Sequence, residues 1–275
     1  MSYKINYFIA SDKDVASYEK RLSICLMSNG FSFSLTDVYD ELLALGEVEC
    51  NLIAPIGALL TDIRGFLAET RMQTFGLKEA ELIVFSDQFV WIPQHLFDAD
   101  NLRQYLDVMC KVPMGYSVFE DYNDQIKAHL VFSADNNILS AFKVAIPGIK
   151  IRCQHSKMVN PVVLDSSDQR TMMLINIRDG VTDFALFENK KLLLSNSYSC
   201  ANIDETMFYA LNISRQFHLE DGRLLVGVCG DVDREKFAFL KGYFADIALY
   251  TGRPLTLTVP QMQHIHTYRC ALVLS

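Results

Sequence analysis

The stretch "MLINIRDGVTDFALFENKKLLLSNS", residues 173–197, decides the fold. It reads as an apolar strand, a tight turn at Asp179-Gly180, a second strand and then a third. Asp-Gly between two apolar runs is one of the strongest hairpin signals, because both central residues of a type I′ turn need positive φ. A glycine turn between strands can also present backbone N–H groups to an anion. Both roles, bend and anion holder, are open on these residues alone.

Working outward from this hairpin, the chain repeats itself. When "ICLMSNGFSFSL" (residues 24–35) is laid over residues 174–186, Ile24 falls on Leu174, Met27 on Ile177, Asn29 on Asp179 and Gly30 on Gly180. The offset is 150 (180 minus 30), and Cys50 meets Cys200 at the same spacing. A helical pattern follows in each copy. Ile56, Leu59, Leu60, Ile63, Phe66 and Leu67 recur every three or four residues in the first. In the second, Asn202 with Glu205 resembles a capping box, followed by Met207, Leu211, Ser214 and Phe217. Near-continuous apolar strands come next, "ELIVFS" at 81–86 and "RLLVGVCG" at 223–230, the pattern of a sheet covered on both faces. A further helix is predicted after each strand, marked by Leu102, Tyr105, Leu106 and Met109 in one copy. Phe237, Leu240, Phe244 and Ile247 mark it in the other, with Asp231 or Asp233 as N-cap. Each half thus reads β-β-β-α-β-α, with further strand and helix material in 127–164. The polar run "LDSSDQRT" (164–171) suggests a boundary between domains 1–168 and 169–275.

Composition narrows the class. Half of the 275 residues are hydrophobic, including 18 Phe and 12 Tyr, which excludes a disordered chain. A formal charge of -8 and the lack of a Lys/Arg cluster argue against a nucleic-acid surface, so no nucleic-acid partner is expected. The most apolar stretch, "LLALGEVECNLIAPIGALL", is interrupted by Glu47, Glu49 and Asn51, so no membrane span is expected; with no secretory leader evident, a cytoplasmic location is. The seven cysteines form no Cys-x-x-Cys pair and sit mostly among aliphatic residues, the pattern of buried free thiols. His264, His266 and Cys270 could meet a metal, but no second ligand pair at finger spacing accompanies them, and no metal is assigned. Phosphate-loop, nucleophile-elbow, dinucleotide and zinc-protease signatures are absent.

A duplicated β-β-β-α-β-α unit with glycine turns resembles the actin-like (ribonuclease H-like) superfamily of actin, heat-shock chaperone ATPases and sugar kinases. The second half, "LINIRDGVTDFALFENKKLLLSNSYSCANIDETMFYAL", is similar to its pilus-assembly members, and the whole chain resembles a bacterial family of unknown function with an actin-like ATPase fold. The resemblance implies an α/β fold of two domains, each a mixed sheet flanked by helices, around a central cleft. It also implies ATP in that cleft, gripped by two Asp-x-Gly hairpins whose carboxylates hold magnesium. Carried onto this chain, the first hairpin is Ser28-Asn29-Gly30 and the second Arg178-Asp179-Gly180, so neither keeps the carboxylate of the pattern. Arg178 is a cation where a cation should be bound, though a guanidinium could itself meet a phosphate. The adenosine loop of the superfamily corresponds to "LVGVCGD", with Gly227 and Gly230 apart rather than paired.

The candidate phosphate-binding residues are therefore Ser28, Asn29, Gly30, Arg178, Asp179, Gly180, Gly227 and Gly230, with no catalytic residue and no metal ligand assigned. Each has a simpler reading as turn or packing chemistry. Asp87 and Asp183 are strand-end carboxylates that could serve as a base or stay structural. The run "FVWIPQHLF" around Trp91 is a partner face or core, and "FAFLKGYF" the buried side of a helix. The favoured function is a scaffold or regulatory binder with degenerate phosphate loops and a protein partner. Its alternatives are an ATP-binding protein with slow hydrolysis or phosphotransfer, with or without magnesium, and a self-associating assembly protein.

Overall fold

The computed structural model describes residues 2–11, 19–70, 72, 77–159, 170–189, 191–219, 223–252, 256–257 and 267–275. Most of the boundary stretch 164–171 and both His264 and His266 lie outside them. The chain is mixed α/β, and among the described residues the strands form three sheets of seven, five and three strands.

In the larger sheet β1 (Lys4–Ala10), β4 (Glu41–Glu49), β3 (Gly30–Asp37), β2 (Lys20–Met27), β5 (Leu77–Val84) and β9 (Lys150–Cys153) lie side by side, and β15 (Thr256–Leu257) pairs with β4. The five-stranded sheet runs β12 (Lys191–Ser199), β11 (Val181–Glu188), β10 (Thr171–Arg178), β13 (Leu224–Gly230), β14 (Asp246–Leu249). The order β4-β3-β2-β5-β9 thus matches β12-β11-β10-β13-β14, with hairpin strands antiparallel and the last two parallel in both.

The register refines the sequence alignment. Met27 pairs with Gly30 across the first turn and Arg178 with Val181 across the second, so the turns match at an offset of 151 (178 minus 27). Ser28 therefore corresponds to Asp179, Asn29 to Gly180 and Gly30 to Val181. The two glycines are not equivalent. The Cys50 N–H donates to Asn29 O and the Cys200 N–H to Gly180 O, which restores the offset of 150 by the end of the third strand. Gly30 has φ +153 and presses against the Val48 carbonyl, where a Cβ would come within 2.0 Å. Gly180 has φ +70 and open space around it.

A second correction concerns the helices. The helix predicted around Leu102–Met109 is α2 (Leu102–Asp107), and it does not mirror the later helix. It packs through Leu106 onto the three-stranded sheet of β6 (Phe89–Pro93), β8 (Ala128–Asp135) and β7 (Tyr116–Asn123). The element between β5 and β9 that corresponds to α6 (Arg234–Lys241) is α3 (Asn136–Ala145), so the small sheet is inserted between β5 and α3. Capping follows the residues: Asp233 accepts from the Lys236 N–H and Asn202 from the Glu205 N–H, starting α6 and α5 (Ile203–Gln216). α6 stops at Lys241, and Ile247 belongs to β14 rather than to a longer helix.

Strand alternation sets which face meets which layer. Leu22, Ile24, Phe31, Phe33, Leu82 and Val84 face a core shared with α1 (Ile56–Glu69) and α3. The opposite face carries Ser23, Cys25, Ser32 and Ser34, residues small and polar enough to admit another chain segment. That segment is 267–275, in which Cys270, Ala271, Leu272, Val273 and Leu274 are buried in one cluster with Cys25, Leu45 and Ile83 of the larger sheet and Leu174, Ala185 and Cys229 of the five-stranded one. The Ser34 Oγ donates to the Val273 carbonyl at 2.7 Å, fixing the segment to β3.

Candidate functional site

Both hairpin turns point at one small cavity. Ser28, Arg178, Asp179 and Gly230 line it with Cys25, Phe85 and residues 268–273, and its volume is about 80 Å³. Four of the sequence-predicted site residues thus come together. Asn29 and Ser28 also border a separate open depression beside Asn51 and Ile53. Gly30, Gly180 and Gly227 line neither. Gly227 lies in β13, where a Cβ would press on Leu174 and Met172 at 3.2–3.3 Å. Gly230, at φ +86, stands so close to the Ile177 carbonyl that a Cβ would approach to 2.2 Å. A glycine is required there by the positive φ and the close approach of β13 to β10, before any ligand is considered.

The centre of the arrangement is Arg178, last residue of β10. Its Nε donates to Asp183 Oδ2 and its Nη2 to Asp183 Oδ1, each at 2.8 Å, a two-pronged guanidinium–carboxylate pair. The same Nη2 donates to Asp87 Oδ1 at 2.8 Å, and the guanidinium lies 4.5 Å from the centre of the Phe85 ring. Phe85 and Asp87 follow β5, so Arg178 ties the five-stranded sheet to the larger one. Asp183 is fully buried and also accepts from Asn176 Nδ2 at 2.9 Å and Ser197 Oγ at 2.6 Å.

His155, in α4 (Gln154–Met158), extends the network from the other side. It stacks on Phe89, 3.9 Å between ring centres, and its Nε2 lies 2.9 Å from Ser197 Oγ. The one hydroxyl proton of Ser197 goes to Asp183, so His155 Nε2 carries the proton donated to Ser197, and Nδ1 accepts from Ser195 Oγ at 2.8 Å. Neighbouring Gln154 binds the backbone of Ser86 through both amide ends, 2.9 Å each. Burial alone would raise Asp183, but Arg178, with a hydrogen bond from Ser197, holds it below the usual carboxylate range. Burial pushes His155 down to about 4, only partly opposed by Asp183, so it is neutral near pH 7. Burial would lower Arg178, yet Asp183 and Asp87 more than offset it.

Chemically this is a satisfied knot in which the buried Asp183 is neutralised by Arg178. Asp183 has its oxygens taken by Arg178, Asn176 and Ser197, which leaves it poorly suited to hold magnesium or to take a proton from water. Among the described residues no three His, Cys, Asp or Glu side chains converge as metal ligands. Sequence reasoning singled out Arg178, Asp183 and Asp87, but not His155, Gln154, Ser195 or Ser197. The serines at 195 and 197, on one face of a strand whose first half carries Leu192, Leu193 and Leu194, were the available signal, and nothing local marked His155.

Two sheets of matching strand order fit the actin-like ATPase fold that the sequence resembles, and solved structures share that fold. The chain is similar to a Bacteroides thetaiotaomicron protein with actin-like ATPase fold and unknown function, at 20% identity over 86% of this chain and 93% of that one, with a TM-score of 0.73. It is also similar to a chain of the PilM-PilN type IV pilus biogenesis complex, at 12% identity over 92% and 96%, with a TM-score of 0.55. At such identities the likeness is one of fold. Residues 11–247 match the family described as protein of unknown function (DUF3822), and the chain belongs to that family. No curated protein sequence matches it. No helix among the described residues is long and apolar enough to cross a membrane.

Proposed function

We propose that this chain is a non-catalytic actin-like protein, a scaffold or regulatory binder whose two sheets are copies of one unit and whose intervening cleft no longer serves a nucleotide. One observation carries the reading: Arg178 is committed to Asp183 and Asp87, and the space left between the turns, with residues 268–273 in place, is about 80 Å³. Small-molecule sites run to roughly 300–1,000 Å³. In the resembling superfamily the hairpin carboxylates hold magnesium; here the buried carboxylate is neutralised by the chain's own arginine. A partner protein takes the place of a substrate in this reading, in keeping with the PilM-PilN pairing of one structural neighbour.

Thermal unfolding with ATP and magnesium tests it. The expected result is an unchanged melting temperature at millimolar nucleotide. A bound ligand at about 100 times its dissociation constant stabilises a fold by roughly 2.7 kcal/mol, and a rise of that size would overturn the proposal in favour of an ATP-binding protein.

A further inference from the structure

The face of the larger sheet that receives residues 267–275 is packed toward the hairpin end by residues 270–274. At the other end of β2, β3, β5 and β9 it floors a cavity of about 530 Å³, walled by α4 and β7 and roofed by Val273 and Leu274. That volume lies within the range of small-molecule sites.

The floor is built of fixed charges of alternating sign. Lys157 Nζ donates to Glu81 Oε1 at 2.8 Å, and Ser23 Oγ donates to the same oxygen at 2.6 Å. Arg152 Nη1 and Ser156 Oγ both donate to Asp121, one to each carboxylate oxygen. Asp121 is buried, and Glu81 and Lys157 are about five-sixths covered, at 16% and 15% side-chain exposure. Burial raises Asp121 despite Arg152, whereas Lys157 outweighs the effect of burial on Glu81 and holds it low. The pairing is incomplete in a specific way. Arg152 Nε stands 4.0 Å from Glu81 Oε2, beyond hydrogen-bond reach, and Lys157 uses one of its three N–H donors. Among the described residues, cationic donors on Lys157 and Arg152 that make no hydrogen bond therefore flank Glu81 Oε2, which accepts none.

We propose that this cavity binds a small zwitterion of the α-amino-acid class, its carboxylate between Lys157 and Arg152 and its ammonium on Glu81 Oε2. A lone anion drawn to Lys157 and Arg152 would also meet the carboxylates of Glu81 and Asp121 beside them, and a lone cation drawn to Glu81 would also meet Lys157 and Arg152. A molecule carrying both charges completes the alternation without leaving a buried charge unpaired. The site lies at the opposite end of the strands from the hairpin turns and does not depend on what the cleft between them binds.

Calorimetric titration of the full chain with standard L-amino acids, each offered singly, is the test, with D-glucose and inorganic phosphate alongside. At least one amino acid is expected to bind with a dissociation constant of about 1 mM or tighter. Its N-acetyl derivative, lacking the ammonium, and its amide, lacking the carboxylate, should each bind at least about tenfold more weakly. Lys157→Met should weaken binding similarly. Because that change strands Glu81 and could unfold the chain, Thr36→Phe, which fills the cavity from its lining without touching either ion pair, is the second variant and should abolish binding. No binding by any amino acid, binding undiminished in Thr36→Phe, or phosphate or glucose binding as tightly as the best amino acid would each overturn the assignment.

Discussion

At the scale of single residues, the weight falls on Arg178 and His155. Arg178→Ala would leave the fully buried Asp183 carboxylate without its guanidinium, and stranding one member of a buried pair costs about 3–5 kcal/mol. Asp87→Asn should cost under about 1 kcal/mol, because Asp87 is more than half exposed. Urea denaturation of the two variants measures the contrast, and equal losses would mean that the contact with Asp87 matters as much as the buried pair. His155 gives a pH dependence with a defined sign. Its folded value of about 4 is depressed from 6.5, so the unfolded chain takes up a proton first as pH falls. Stability is full above pH 6.5 and declines between 6.5 and 4, by roughly 3 kcal/mol over the whole shift. Asp183, held low in the fold, adds a further loss only below the ordinary carboxylate range. Melting temperatures of the wild type and His155→Gln across pH 7 to 4 should converge toward the acid end; parallel curves would rule out His155 as the source.

At the scale of elements, the two hairpins look alike in sequence and differ in mechanics. Gly30→Ala drives a Cβ to 2.0 Å from the Val48 carbonyl, a backbone clash that no rotamer relieves. Gly180→Ala meets nothing within 4 Å and incurs only the left-handed penalty, about 1–2 kcal/mol. Gly30→Ala is expected to be clearly the more damaging, read as the difference in denaturant midpoint between the two variants. The alignment at an offset of 150 could not see this, since it placed glycine on glycine. Register is set by which residues pair across the turn, and one extra residue in the return to the third strand absorbs the difference. The same limit applies to α2. Its apolar spacing was legible, but the surface it covers was not, because helical periodicity says that a face is buried and not against what.

For the whole molecule, the decisive element is the segment 267–275. Its buried residues share one cluster with Cys25 and Ile83 of the larger sheet and Leu174 and Cys229 of the five-stranded one. A core common to both sheets predicts one cooperative unfolding transition in calorimetry rather than two, with calorimetric and van't Hoff enthalpies in agreement; two resolved transitions would show that the shared cluster does not couple them. The sequence by itself determined most of the alternation of strands and helices and the two hairpin turns, because these depend on local periodicity and turn chemistry; the actin-like class, and with it the expectation of a carboxylate where Arg178 stands, came from a resemblance to a known superfamily. Only the tertiary structure decided that Arg178 clasps Asp183 and Asp87, that His155 completes the knot, and that residues 267–275 fill the ground between the sheets. Those contacts join positions from 5 to more than 200 residues apart, and such pairing follows from which faces meet in space, which no local pattern encodes.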